Sequence, residues 1–507
     1  MTMAAHHLNL AKRIELGLAA EPDDWGIFPP PNQPMATARA LFDDLYTAAN
    51  GAPLLAWWRG QFWHYRGTHW VAPMDIEATT GPIWEHLEKQ VFLNGKDDNG
   101  DDKLVQWTPT PKRVSDVLTP LKIVALQKGE NTPPFSTTGG DTPENIVSMA
   151  NGLFDINNRK LKPHTPDHFT TWSLDFDYDP EAQCPKWKAF LADVFEHDAD
   201  GAELLREFMG YLISGRTNLQ KALMLIGATG AGKGVIATVI RALMGANNVA
   251  TLTLDGIARN DAILAGCIGK PLGVMEDARD AHNAGKRAVE RLLSLIADDP
   301  IGLDRKYKDA WFGPLGMRLL FVSNELPRFS DASGAILRRF EILRLEKSFV
   351  GREDPNLAKK LLTELPGIFV WSLEGLDQLD KNKGKFTRPK SAETLQETMR
   401  DLTRPLDEFF DWAEDNDKLE ITGNPTDVMP AKDLNQVYRV WCDLEGRSRM
   451  NSETLAQKIT AAYSNVQHRN SKLDDNGQWA ADLPKRRVYI GVKPINTNNW
   501  SIAGNVA

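Results

Sequence analysis

Four short, mainly apolar runs punctuate the middle of the chain: Ala222–Gly227, Leu272–Met275, Arg318–Ser323 and Phe340–Leu345. Each has the length of a buried strand. Stretches of helical period lie between them. One spans Val235–Met244, and another spans Arg287–Ala297, where Ala288, Leu292, Leu295 and Ile296 share a face. Strand alternating with helix is the α/β signature, and it sets the expected extent of this domain at 220–380.

The flanks have a different rhythm. Residues 1–40, Pro-rich at Phe28-Pro29-Pro30-Pro31, read as a weakly ordered lead-in. Residues 41–184 read as an α+β region. It holds a helix near Thr37–Ala48, an aromatic hairpin from Leu54 to Val71 broken at Arg66-Gly67-Thr68, and short helices at Ile83–Val91 and Pro111–Leu118. A solvated acidic loop, Lys96–Asp102, and a loop-rich stretch, Gly129–Pro143, separate these pieces. One or two helices between Cys184 and Gly215 form a collar over 185–219, and a polar linker at 381–404 follows the α/β segment.

The tail, 405–507, has its own pattern. Leu406, Phe409, Phe410 and Trp412 mark one helix, and Leu434, Val437, Tyr438, Trp441 and Leu444 mark a second. Ser452 would cap a third, with Leu455, Ile459 and Tyr463 facing inward. Val466–Arg469 and Lys485–Ile490 read as two strands around a polar loop. Three helices and a hairpin suggest a winged-helix-like domain. Between Val466 and Ile490 five Lys/Arg face three Asp, an excess that favours DNA contact through Arg469, Lys485, Arg486 and Arg487.

Composition narrows the class. A chain of 507 residues implies about three domains. Charged residues make up 25%, which fits a soluble globular protein, and no apolar run approaches the ~20 residues that span a bilayer. Cys184, Cys267 and Cys442 lie too far apart for a disulfide framework or a zinc knuckle, so a reducing, cytoplasmic setting is expected. The net charge of −9 confines any nucleic-acid contact to local basic patches.

The candidate chemistry begins where the first strand ends. Gly227-Ala228-Thr229-Gly230-Ala231-Gly232-Lys233-Gly234 fits the spacing of a nucleotide-binding P-loop. Its glycines let backbone N–H groups close around phosphate oxygens, and Lys233 would reach the β- and γ-phosphates of ATP. The Ser or Thr that usually follows the lysine and ligates Mg²⁺ is replaced by Gly234. The second run ends in Glu276-Asp277. One carboxylate would hold Mg²⁺ and the other orient the attacking water, with Asp277 assigned to the metal and the two roles exchangeable. Asn324 ends the third strand, where it would sense the γ-phosphate or position the water. Arg338 and Arg339 precede the fourth strand and suit charge on a transferring phosphoryl group. Between the acidic pair and Asn324, Arg305-Lys306-Tyr307-Lys308 forms a basic, hairpin-like tip for a nucleic-acid backbone. Taken singly, each element also has an ordinary reading as a solvated turn or strand end.

Their order resembles superfamily 3 helicases, the AAA+ ring ATPases of viruses, phages and plasmids. Gly302–Glu325 is similar to the matching stretch of papillomavirus replicative helicases, and Val274–Asp277 to that of polyomavirus ones. Phage and plasmid primase-helicases related to the poxvirus primase-helicase are a closer match. They share Asn151–Asp155, Thr170-Thr171, Tyr178-Asp179-Pro180 and Gly210-Tyr211 ahead of the P-loop. The resemblance covers roughly residues 50–380. It implies a hexameric ring that translocates on single-stranded DNA and opens forked duplex. Arg339, with Arg338 in reserve, would be a finger supplied to a neighbour, and Lys306 and Tyr307 would line the channel. A separate primase or polymerase partner would fit such a chain. An initiator that melts an origin without processive unwinding, the helicase part of a primase-helicase, and a degenerate scaffold prompted by Gly234 are the competing readings. Asp175-Phe176-Asp177 resembles a primase carboxylate pair but lies in the lead-in to the helicase, and His6-His7 has no strand before it.

Overall fold

The computed structural model describes residues 26–140, 145–276, 285–306, 309–324, 336–391, 405–447, 449–463, 465–472 and 484–495. The chain divides into two compact units, 1–329 with 338–393, and 330–337 with 394–507. The expected mixed α/β architecture is present, with a five-stranded parallel sheet in the first unit.

That unit opens earlier than the Pro-rich composition suggests. Within the supposed lead-in, Phe28 is buried and its N–H donates to the Val91 carbonyl at 2.7 Å. Helix Pro34–Leu45 starts on a proline, whose missing N–H costs nothing in a first turn, and buries Ala38 and Leu41. Residues 1–25 lie outside the described residues. The aromatic hairpin is a three-stranded antiparallel meander, Leu55–Trp58, Gln61–Tyr65 and Trp70–Val71, with an extra reversal at Arg59-Gly60. The helix expected at Ile83–Val91 runs Glu77–Glu88, and Val91 instead starts a strand, Val91–Lys96, paired with Asp102–Gln106.

Part of the expected α+β region packs with the central sheet. Strands Ile146–Met149 and Gly152–Asp155 bury Met149 and Phe154 in the same core cluster as Leu223, Leu225 and Leu320.

The central sheet orders its strands Val249–Leu252, Leu272–Glu276, Arg318–Ser323, Ala222–Gly227 and Phe340–Leu345. All pairs are parallel. The sequence pattern marks four of the five. Val249–Leu252 escapes it, being short and containing Ala250 and Thr251. The collar is two helices, Pro185–Val194 and Ala199–Ile213. The second packs along Leu365–Lys381 so closely that a Cβ on Gly375 would overlap the Arg206 carbonyl, and one on Gly210 would overlap that of Ser372.

In the second unit the order is helix Pro405–Asp415, strands Leu419–Ile421 and Val428–Pro430, helices Ala431–Leu444 and Ser452–Ala462, then strands Gln467–Ser471, Arg486–Ile490 and Val492–Pro494. Phe409, Leu434, Trp441, Ile459 and Tyr489 fill its core. The cap of the third helix is Asn451 rather than Ser452, its side chain accepting from the Thr454 N–H at 2.8 Å.

Two outcomes follow. Replacing Gly375 with Ala should cost about 1–3 kcal/mol of stability through overpacking, seen as a lower urea midpoint; an unchanged midpoint would mean the helices separate freely. His64 and His168 are buried, and desolvation lowers both pKa values to about 4, with Arg66 adding to the shift of His64. Between about pH 6.5 and 4 the unfolded chain therefore binds more protons, so stability falls on acidification, by up to about 1.4 kcal/mol per pH unit and histidine. A His64→Gln chain should lose less stability than the parent between pH 7 and 5 in the same titration.

Candidate functional site

Strand Ala222–Gly227 delivers the chain into the glycine-rich loop, and helix Lys233–Met244 leaves it. Gly230 and Gly232 adopt left-handed φ values of 78° and 94°, open to glycine without strain. The Gly230 carbonyl accepts from the Phe349 N–H at 2.9 Å, and Ala231 N–H donates to Ala228 at 3.2 Å. Gly232 is the N-cap of the helix and offers no side chain to the first-turn amides. Lys233 is buried, its Nζ donating to the carbonyl oxygens of Ala228, at 2.8 Å, and Gly227. Among the described residues no carboxylate pairs with it, and desolvation lowers its pKa. A buried ammonium held by neutral carbonyls fits an anionic ligand, which offers a stronger, charge-assisted partner.

Gly227 serves packing as well as the loop, since a Cβ there would overlap the Leu345 carbonyl. Gly234 is the opposite case: nothing lies within 4 Å of the position its Cβ would take.

Register brings further candidates to the same sheet edge. Ser323 pairs with Ile226, so Asn324, which is exposed, stands level with Gly227. Glu276 pairs with Val322 on the other side of that strand. Its side chain is largely exposed and accepts from Arg241 at 2.8 Å. Asp277 lies outside the described residues. The sequence reading missed Arg241 and Thr238. Thr238 donates its hydroxyl to the Gly234 carbonyl at 2.7 Å. Gly234, Thr238 and Arg241 recur at helical spacing on one face, and that was the available signal.

Arg338 and Arg339 sit at the far edge. Phe340 pairs with Ala222, which puts Arg339 level with Lys221, about a strand length of 15–20 Å from the loop. Arg339 donates to the Gln220 Oε1, while Arg338 is exposed and its carbonyl accepts from Lys221 at 2.9 Å.

The basic tip belongs to the hairpin Ile301–Leu303 and Trp311–Gly313. Arg305, expected to contact DNA, makes three hydrogen bonds within the chain and braces the hairpin. Its guanidinium donates to the Asp309 carbonyl at 2.7 Å, the Gln61 Oε1 at 2.9 Å and the Arg59 carbonyl at 3.2 Å. These partners satisfy its planar fork and turn it toward the N-terminal meander. Lys306 is exposed, and Tyr307 and Lys308 lie outside the described residues. Phe312, 75% exposed on the outer face of the hairpin opposite Gly302, is an aromatic candidate the sequence reading passed over.

In the second unit Arg469, Lys485 and Arg487 are exposed, and Arg486 is half-buried. Arg487 pairs with Asn470, and Arg486 with Ser471. Strand alternation puts the two arginines on opposite faces.

Residues 136–196 match a family described as D5 N terminal like, and residues 225–339 match a family of unknown function, DUF5906. Together the matches cover about a third of the chain. The first includes Asn151–Asp155 and Tyr178–Pro180, part of the stretch that carries the sequence resemblance. Among solved structures, the A form apo structure of the NrS-1 C terminal region is 14% identical with a TM-score of 0.45, covering 86% of this chain and 96% of that one. An apo structure of NrS-1 C terminal region residues 305–718 is 14% identical with a TM-score of 0.47, covering 90% and 99%. No residue role follows from likenesses this remote. No helix among the described residues is long and apolar enough to cross a membrane.

Arg305→Ala should lower stability by roughly 1–2 kcal/mol, because it removes hydrogen bonds from a charged donor. Chemical denaturation measures this, and a variant as stable as the parent would show that the brace contributes nothing.

Proposed function

We propose that this chain is an ATP-hydrolysing DNA motor, the helicase component of a replication system of a phage, satellite or plasmid. The observation that carries the reading is the meeting of Lys233, Glu276 and Asn324 at one edge of a parallel sheet, with the Asn324 strand set between the other two. The D5-like match immediately ahead of the loop supports the same primase-helicase class.

In this reading the loop amides and Lys233 bind the phosphates, the lysine turning from the Gly227 and Ala228 carbonyls to the β- and γ-oxygens. Glu276 orients water against the γ-phosphate, and Asn324 reports that phosphate's presence. Asp277, together with water, would hold Mg²⁺, which would supply neutralising charge on the phosphates. Arg339, or the more exposed Arg338, sits a strand length from its own loop. That position suits a finger given to a neighbouring subunit in a ring, with a hexamer as the proposed assembly. Lys306, Tyr307 and Lys308 track the DNA backbone at the hairpin tip. In the second unit the order helix, two strands, two helices, three strands supports a winged-helix module contacting DNA through Arg469, Lys485, Arg486 and Arg487.

The test combines ATP turnover with strand displacement on a forked duplex. Lys233→Ala and Asp277→Ala should each abolish turnover. Gly234→Ser should keep or raise it, because the added hydroxyl enters open space. Turnover surviving Lys233→Ala would refute the nucleotide site, and turnover without fork displacement would favour an origin-melting initiator. Replacing Arg486 and Arg487 together with Ala should weaken DNA binding and flatten its salt dependence.

A further inference from the structure

A cavity of about 640 Å³ lies in the first unit, at the sheet edge opposite the glycine-rich loop. Its lining includes Asn218, Pro271 and Gly316, each just ahead of a central strand, so it opens where the strands begin. The walls combine flat aromatic surface with cationic groups. Trp172 is half-buried, its indole against the Gly215 backbone, and Trp311 is buried opposite the loop-rich stretch.

The charges are arranged asymmetrically. Arg216 and Lys270 line the cavity. Arg216 is fixed by hydrogen bonds to Asn145, at 2.9 Å, and Asp380, at 2.7 Å, while among the described residues Lys270 donates to the Val249 carbonyl, at 3.1 Å. Beneath the lining lies Arg318, 2% exposed, donating to the carbonyls of Leu212 at 2.8 Å, Gly316 at 2.9 Å and Gly215 at 3.2 Å. Among the described residues no carboxylate lies within ion-pair distance of its guanidinium, and its Nε has no hydrogen-bond partner. The acidic group in the lining is Asp298, whose Oδ1 accepts from the Gly316 N–H at 2.8 Å. Three cations thus act on the space against Asp298 within it and Asp380 behind Arg216. Low-dielectric walls strengthen that field.

We infer that this cavity binds a nucleotide unit, with its base against Trp172 and its phosphate toward Lys270 and Arg216. The volume lies in the range of small-molecule sites. An aromatic platform beside fixed cations is the arrangement that holds bases without reading their sequence. Both a free mononucleotide and one residue of a single strand carry that chemistry. The site is distinct from the glycine-rich loop and stands whether or not the loop hydrolyses ATP.

The probes are fluorescein-labelled oligo(dT), followed by anisotropy, and dTMP, followed by calorimetric titration. Both are applied to the full chain carrying Lys233→Ala, so that the glycine-rich loop contributes least. Trp172→Ala should weaken binding at least tenfold. Thr132→Trp, which fills the exposed rim without removing a buried contact, should do the same with an unchanged thermal melt. Binding of both probes identifies a mononucleotide site, and binding of oligo(dT) alone identifies a strand site. The proposal fails if neither probe binds, or if binding survives both variants. With Lys233 restored, the two variants should retain ATP turnover, so a loop that proves inactive and a cavity that proves empty give separate results.

Discussion

Parallel pairing is the constraint from which the rest of the first unit follows. Parallel strands need crossovers, so every strand of the central sheet runs the same way and every strand end emerges at one edge. The insertion of Arg318–Ser323 between Ala222–Gly227 and Leu272–Glu276 then decides which ends are neighbours. Asn324 stands beside Gly227, with Glu276 on the other flank, though nearly a hundred residues separate the first from the last in sequence. The same constraint sends Arg338 and Arg339 to the opposite edge.

The segment ahead of the sheet is tied to this arrangement rather than appended to it. Glu364 accepts from the Lys186 and Trp187 N–H groups at 3.2 and 3.0 Å, filling the amide end of helix Pro185–Val194 from a distant part of the chain. Phe190 and Val194 of that helix back Gly232 within 3.3 and 3.4 Å of its missing Cβ. Buried Glu207 accepts from the Thr387 N–H at 2.6 Å and hydroxyl at 2.9 Å, securing the chain beyond helix Leu365–Lys381. The loop's backbone geometry is therefore held by elements that begin around residue 145 and end near 391.

Much of this was legible in the sequence because burial on both faces leaves a continuous apolar run. That holds for Ala222–Gly227, and the ends of Phe340–Leu345 also match the pattern although Glu341 and Arg344 interrupt its apolar run. It fails for Val249–Leu252, too short and mixed to stand out from its surroundings, and for Val91, which merged with the preceding helical pattern. Phe28 reads as part of a Pro-rich lead because its partner, the Val91 carbonyl, is over sixty residues away. The candidate site divides on the same lines. Glycine and lysine spacing is local and visible. The role of Arg305 is not, because Gln61 and Arg59, which claim its hydrogen bonds, lie about 240 residues earlier. Arg241 and Glu276 find each other only once the strand is placed beside the helix.

The brace around Arg305 also sets where a force on the hairpin goes. Arg59 lies over both Trp58 and Trp311, at 4.7 and 5.0 Å, and donates to the Gly129 carbonyl at 3.0 Å. Trp58 in turn meets Phe169, Phe135 and Trp63. A tug at the tip is thus borne by edge-on and tilted rings and by the Arg59 guanidinium, alongside the peptide links to the central sheet. The hairpin behaves as a cantilever with two footings. Stiffness at its tip is a property of residues 55–65 as much as of the hairpin's own strands.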